Sequence, residues 1–198
     1  MKVLIIIPAY NEQENIINTV SKVLDYKTEC DFQLDYVVIN DGSKDNTYDI
    51  CRKNNIRCVN LIQNLGIGGA VQTGYKLANM QDYDIAVQFD GDGQHDINSL
   101  KSLIAPIVNG TADFTVGSRF IGDGVSFQST AMRRFGIKIL SFTLKLFAKV
   151  NISDCTSGYR AASREVLKIL ADDYPIDYPE PESLVHIAKA GYRIEEVP

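Results

Sequence analysis

The sequence predicts an α/β fold, with a mostly parallel, Rossmann-like sheet and helices on both of its faces. Two observations carry that expectation. Short β-rich apolar runs alternate with segments of helical spacing from residue 3 to residue 117, which is the pattern of βαβ units. Clusters rich in Gly, Asp and Asn follow the strands rather than the helices, and in open α/β sheets the ligand crevice lies beyond the carboxyl ends of the strands.

The elements follow in order. VLIII (3–7) is the first strand, and its apolar run is too short for a secretory leader and lacks a cleavage site. Residues 12–27 have helical spacing and lead into the strand YVVIN (36–40). DGSKDNT supplies capping residues for a helix over 46–55, and RCVNLI (57–62) is the third strand. A helix over 67–80 precedes the strand IAVQF (85–89); Asp96 caps a helix over 97–109, and DFTVG (113–117) is the fifth strand. Further on, 133–149 and PESLVHIAKA have helical patterns, and GYRIEEVP is strand-like without a polar tail, so the chain is expected to be cut from a longer protein.

Composition excludes several function classes. With 20 Lys+Arg against 25 Asp+Glu, the net charge is −5, which offers no basic footprint for nucleic acid. The four cysteines form no C-x-x-C pair, so neither a zinc knuckle nor a disulfide framework is suggested, and a reducing, cytoplasmic compartment fits. No uninterrupted apolar stretch reaches the roughly 18 residues of a spanning helix, so any membrane contact is expected to be peripheral.

Five successive strand ends carry polar signatures: PAYNE, NDGSKDNT, QNLGIGGA, DGDGQHD and GSRF. They are read as one site. Asp90 and Asp92 flank Gly91, so a turn there lets both carboxylates converge on one cation. Hard oxygen ligands suit Mg²⁺ or Mn²⁺ completed by substrate phosphates, while turn and N-cap roles remain the alternative. A calcium loop is excluded because His95 stands where the sharp-turn glycine belongs and Lys101 where the bidentate Glu belongs. Glycines 66, 68, 69 and 74 let backbone approach a ligand at a helix N-terminus, but their spacing breaks the dinucleotide fingerprint. A nicotinamide cofactor is therefore disfavoured.

Together PAYNE, VINDGSKDNT, NLGIGGAVQTGY, FDGDGQHD, GSRF and DCTSGYRA resemble glycosyltransferase family 2, in its dolichol-phosphate mannosyltransferase-like, polyprenyl-phosphate glycosyltransferase branch. The resemblance covers nearly the whole chain. It implies a single GT-A catalytic domain over residues 1–198, truncated at its C-terminus. It also implies a nucleotide-diphosphate-sugar donor, Mg²⁺ or Mn²⁺ held by a D-x-D motif, and inversion at the anomeric carbon. Carried over by residue, Pro8, Ala9, Tyr10, Glu12 and Asp41 line the nucleoside pocket, with Gly66 and Asp90 also on the donor. Asp90 and Asp92 hold the metal, with Gln94 joining through water. The usual D-D-G-S reads N-D-G-S here, with Asn40 in the first position.

The resemblance further implies a polyprenyl phosphate acceptor, with Arg119 and Arg133 on its phosphate and Arg134 the alternative to Arg133. Arginine suits the task because its planar fork binds phosphate bidentately. Asp92, Arg119 and Asp154 are the catalytic candidates; Asp154 acts as base, positions the acceptor or caps a turn. His95 adjoins the metal loop, whereas His186 reads as structural. Within 133–149, Arg134, Lys138, Ser141, Lys145 and Lys149 form one stripe on an otherwise apolar helix. Such a helix is either buried or lies in a membrane interface with its lysines toward headgroups. Two other functions stay open: transfer to a sugar hydroxyl in cell-surface polysaccharide synthesis, and a nucleotide-sugar-binding module without turnover. The expected location is cytoplasmic, peripheral to the inner face of the cell membrane. The branch also leaves a homo-oligomer open, and residue types do not fix the donor base or sugar.

Overall fold

A computed structural model describes residues 1–91, 95–121 and 131–198, with backbone alone for 131–135. Seven strands form one sheet: β1 (Lys2–Ala9), β2 (Gln33–Asn40), β3 (Cys58–Asn60), β4 (Ile85–Gln88), β5 (Phe114–Gly117), β6 (Arg160–Ser163) and β7 (Ile194–Val197). The helices are α1 (Ile16–Lys27), α2 (Thr47–Lys53), α3 (Gly66–Met80), α4 (Leu100–Val108), α5 (Ala131–Ala148), α6 (Arg164–Asp172) and α7 (Pro179–Lys189), and a 3₁₀ turn, Ile97–Ser99, leads into α4. The order across the sheet is β3-β2-β1-β4-β6-β5-β7.

The apolar run of β1 has a simple cause. Val3, Ile5 and Ile7 pack into one core with α1 and α4, while Leu4 and Ile6 pack into the other with α3, α6 and α7, so neither side of the strand meets water. On the second face α3 sits very close to β1: a Cβ on Gly74 would fall 2.2 Å from Ile6 Cγ2. Only glycine permits that approach.

Parallel pairing of β1 with β2 and β4, and of β2 with β3, brings the carboxyl ends of these strands to one edge. One strand departs from simple alternation. β6, with the sequence RAAS, inserts between β4 and β5 and runs antiparallel to both. Two alanines, a serine and an arginine carry little β signal, so its place is set by packing, with Ala161 and Ala162 buried on opposite faces. Because β6 is antiparallel, its amino end lies at the same edge, which delivers residues 154–159 to the strand ends.

Helix α5 is packed on one side and exposed on the other. Ile137 and Leu144 are buried, with Leu140 and Ala148 packed beside them. Ile139, Phe142 (66% exposed), Leu146 and Phe147 (79% exposed) face outward. Within the expected stripe Ser141 donates to the Ser153 carbonyl, 3.1 Å away, whereas Lys138 and Lys145 are exposed on α5 and Lys149 is exposed just past its end. No helix among the described residues is long and apolar enough to cross a membrane.

Candidate active site

A cavity of about 450 Å³ opens at the ends of β1 and β2, against the start of α3. Pro8, Ala9, Tyr10, Glu12, Asp41, Gly66 and Asp90 all line it, together with Asn64, Ile67, Ala70 and Gly91. Every residue named for the donor is thus brought to one hollow. The loops forming it are laced together. Asn11, at φ 58°, ties the two loops through two bonds: its backbone amide donates to Ser43 Oγ, and its side-chain oxygen accepts from the Lys44 amide. The Glu12 amide donates to Thr47 Oγ1 and the Gln13 amide to Asp45 Oδ2. These bonds account for the density of Asn, Asp, Ser and Thr in PAYNE and DGSKDNT.

Asp41 is nearly fully buried, and its Oδ1 accepts the Leu65 amide at 2.7 Å. Asn64 closes the corner by donating from Nδ2 to the Asp41 carbonyl. Gly42 holds φ 61°, and a Cβ there would fall 2.7 Å from the Asn64 nitrogen, so this turn excludes other residues. Asn40 donates to Asn60 Oδ1 and accepts from the Ser43 hydroxyl. The amide in the first position of N-D-G-S is thereby satisfied inside the fold.

Asp90 stands at the cavity rim just beyond β4. Burial works against its ionised form, but the hydrogen bond and charge of His95, the Gln88 amide and the guanidinium of Arg160 outweigh it and hold the carboxyl below its usual range. His95 Nε2 lies 2.9 Å from Asp90 Oδ2. The His95 ring stacks on Tyr159, with centroids 5.1 Å apart and planes 20° from parallel. Asp92 and Gln94 lie outside the described residues. Among the described residues no group of three or more His, Cys, Asp or Glu gathers at one point. An ionised carboxylate at the rim nevertheless suits a hard cation that takes its remaining oxygens from a ligand.

On the other side of His95 a smaller cavity, about 170 Å³, is lined by His95, Ser118, Arg119, Ser157 and Tyr159, among others. The Tyr159 hydroxyl is buried without a hydrogen-bond partner among the described residues. Arg119 forms a forked pair with Asp154: Nε to Oδ2 at 2.8 Å and Nη2 to Oδ1 at 2.8 Å. The Arg119 amide also donates to Oδ2, and Thr156 donates to Oδ1. Asp154 is wholly buried; desolvation opposes its charge, yet the Arg119 bonds and charge overcome this and lower its pKa. Such a carboxylate orients a guanidinium and is poorly suited to take a proton. Arg133 and Arg134 fall on α5, with side chains outside the described residues.

Residues 4–170 match the family described as glycosyl transferase family 2. The chain belongs to glycosyl transferase family 2. It is 33% identical over 98% of its length to the UDP-N-acetylglucosamine–dolichyl-phosphate N-acetylglucosaminyltransferase of Methanococcus voltae, covering 83% of that protein. It is 29% identical over its whole length to the undecaprenyl-phosphate mannosyltransferase of Micrococcus luteus, covering 82% of that protein. Among solved structures, glucosyl-3-phosphoglycerate synthase of Mycobacterium tuberculosis, in complex with Mn²⁺, UDP-glucose and phosphoglyceric acid, matches with TM-score 0.73. That identity is 21%, over 98% of this chain and 68% of the other. The likeness places the fold in the GT-A class, and the chain is a glycosyltransferase.

In this glycosyl transferase family 2 chain Asn64, Gly158 and Arg160 lie inside the quoted motifs, but their roles arise from tertiary contacts. Asn64 lies beside the glycine loop, where only the backbone freedom of the glycines drew notice. Arg160 is wholly buried, and its charge reaches Asp90. Gly158 is needed because a Cβ there would stand 2.4 Å from Asp90 Oδ2. The obstruction meets the end of a side chain rather than backbone, so Gly158→Ala is expected to displace the Asp90 carboxylate. Turnover should fall on the order of 100-fold, the scale of a misplacement of about 1 Å in a site, with a melting temperature within a few degrees of the parent. Steady-state rates and a thermal melt on the same sample check both parts.

Proposed function

We propose that this glycosyltransferase moves a sugar from a nucleotide-diphosphate donor to a polyprenyl phosphate, with inversion, at the cytoplasmic face of a membrane. The forked Arg119–Asp154 pair beside the donor cavity is the observation that carries this reading. It supplies a fixed guanidinium for an anionic acceptor, and the same pairing removes Asp154 as a proton acceptor. A phosphate oxygen is already anionic at neutral pH and attacks without a base, whereas a sugar hydroxyl requires one. The lipid-phosphate transferase names of the relatives from Methanococcus voltae and Micrococcus luteus support the same acceptor class.

In this reading Asp41 and the PAYNE turn hold the nucleoside, and the start of α3 lies beside it. Asp90, with Asp92 and Gln94, would hold Mg²⁺ or Mn²⁺. Such an ion, when bound, neutralises charge developing on the leaving diphosphate. His95 fixes the Asp90 carboxylate, and Arg119, with Arg133 or Arg134, holds the acceptor oxygen in line with the anomeric carbon. Asp154 keeps the Arg119 fork aimed. The test offers undecaprenyl phosphate in vesicles with Mn²⁺ and, in turn, UDP-N-acetylglucosamine, UDP-glucose and GDP-mannose. One of them should yield a polyprenyl phosphate-linked sugar by mass spectrometry; transfer only to glycan hydroxyls would refute the reading.

The outward face of α5 supports the membrane part. Exposed Ile139, Phe142, Leu146 and Phe147 offer an apolar surface, and exposed Lys138 and Lys145 on the same helix, with Lys149 just past its end, would reach toward headgroups. Each lysine near an anionic surface contributes about 1 kcal/mol. Replacing all three by Gln should therefore weaken binding to phosphatidylserine vesicles on the order of 100-fold at low salt, with little change on neutral vesicles. Sedimentation with the two vesicle types checks this.

A further inference from the structure

We infer that Glu196 on β7 is a positioning residue for the acceptor phosphate, acting through residues 153 and 154 on Arg119. The inference rests on the acceptor role proposed for Arg119. Glu196 gathers three donors on one carboxylate. Its Oε1 accepts the Asp154 amide at 2.8 Å and the Ser153 hydroxyl at 2.6 Å, and its Oε2 accepts the Ser153 amide at 2.8 Å. Asp154 then takes the Arg119 fork on both oxygens and the Arg119 amide on Oδ2. The next residue of β7 grips the other side: the Val197 carbonyl accepts the Ser118 amide at 2.8 Å. One short strand thus holds both the carboxylate that aims the guanidinium and the backbone that carries it.

The placement of Glu196 argues for a purpose beyond solubility. Strand side chains alternate in direction, and Ile194, two residues earlier, packs against the core that contains α5 and α7. Glu196 shares that face and is half-buried, while Glu195 points out and is exposed. A half-buried carboxylate is costly unless its oxygens are hydrogen-bonded, and here both oxygens accept. The requirement for a carboxylate is stoichiometric. A Gln side chain offers a single oxygen and presents its amide N–H groups to a third donor, so the 153–154 turn cannot keep all three bonds.

The position differs from the donor side of the site. The cavity lined by Asp41 and Asp90 contains no residue of β7, whereas the cavity with Arg119 is bordered by Pro198, directly after Val197. A loosened Glu196 should therefore disturb acceptor binding and spare the donor. A residue that served only the fold would weaken both.

The experiment compares Glu196→Gln, Arg119→Gln and the double variant, using farnesyl phosphate as the acceptor probe and Mn²⁺ with UDP or GDP as the donor probe, by calorimetry. Glu196→Gln should weaken farnesyl phosphate about 10-fold, the scale of a displaced charge-assisted hydrogen bond, and leave the nucleotide within about 2-fold. The double variant should bind farnesyl phosphate no worse than Arg119→Gln alone, since both changes break one chain of contacts. Ser153→Ala, which removes one bond of the three, should give a smaller loss of about 3-fold and serves if Glu196→Gln does not fold. Multiplicative losses in the double variant, or equal weakening of both probes, would overturn the inference while leaving Arg119 as the acceptor contact. Farnesyl phosphate binding that ignores Arg119→Gln, or fails in the parent, would instead overturn the acceptor reading and the inference with it.

Discussion

Asp90→Asn is expected to reduce turnover on the order of 1,000-fold, as loss of several kcal/mol of stabilisation of the leaving diphosphate implies, while leaving the fold in place. The substitution is nearly isosteric. The Asn oxygen can still meet His95, and Gly158 leaves the same space, with Cβ clearance set by Asp90 alone. What changes is charge: Asp90 is held ionised by His95, Gln88 and Arg160 despite its burial, and the amide cannot anchor a divalent ion in the same way. Mn²⁺-dependent binding of nucleotide should vanish in parallel with the rate. A fall of less than 10-fold would show that Asp90 is a turn residue.

Arg160→Met should unfold the protein far more readily, with a loss of about 3 kcal/mol. The guanidinium is wholly buried and donates to the carbonyls of Ser157, Glu180 and Cys155 and to the Ser183 hydroxyl. Met fills a similar volume and removes the burden of a buried charge, which limits the loss. It also orphans the Ser157 and Cys155 carbonyls in the interior, at about 1–3 kcal/mol for each one left unpaired, while the Glu180 carbonyl keeps the Ser183 hydroxyl. Because these bonds tie residues 155–157 to the start of α7, activity should fall with stability. Denaturant titration checks the figure; a loss under about 1 kcal/mol would mean that water or backbone shifts replace the guanidinium.

Much of the proposed donor half was legible in the sequence because each of its loops follows a parallel strand. A single rule about strand ends then collects Tyr10, Asp41, Gly66 and Asp90, and the structure brings them to one cavity. The proposed acceptor half was less legible for a physical reason. β6 is short, alanine-rich and antiparallel, so nothing in RAAS announces a strand or sends DCTSGYRA to the same edge. Without β6 the partners of Arg119 and Asp90 cannot be deduced. Asp154 was visible as a carboxylate, but its pairing with Arg119, 35 positions away, belongs to the tertiary structure. Gly158 read as one glycine among many, and its need arises only from the Asp90 side chain across the sheet edge. For α5 the periodicity was clear and its two readings were not separable, since one side docks while the other stays outside.

The acceptor is tested most directly by offering the enzyme two lipids that differ in one group: undecaprenyl phosphate and undecaprenol, in the same vesicles with Mn²⁺ and the sugar nucleotides named above. The expected result is nucleotide release and a lipid-linked sugar with the phosphate lipid alone, lost in Arg119→Gln. Equal transfer to the alcohol, or transfer indifferent to Arg119, would contradict a site built around a guanidinium and a phosphate nucleophile.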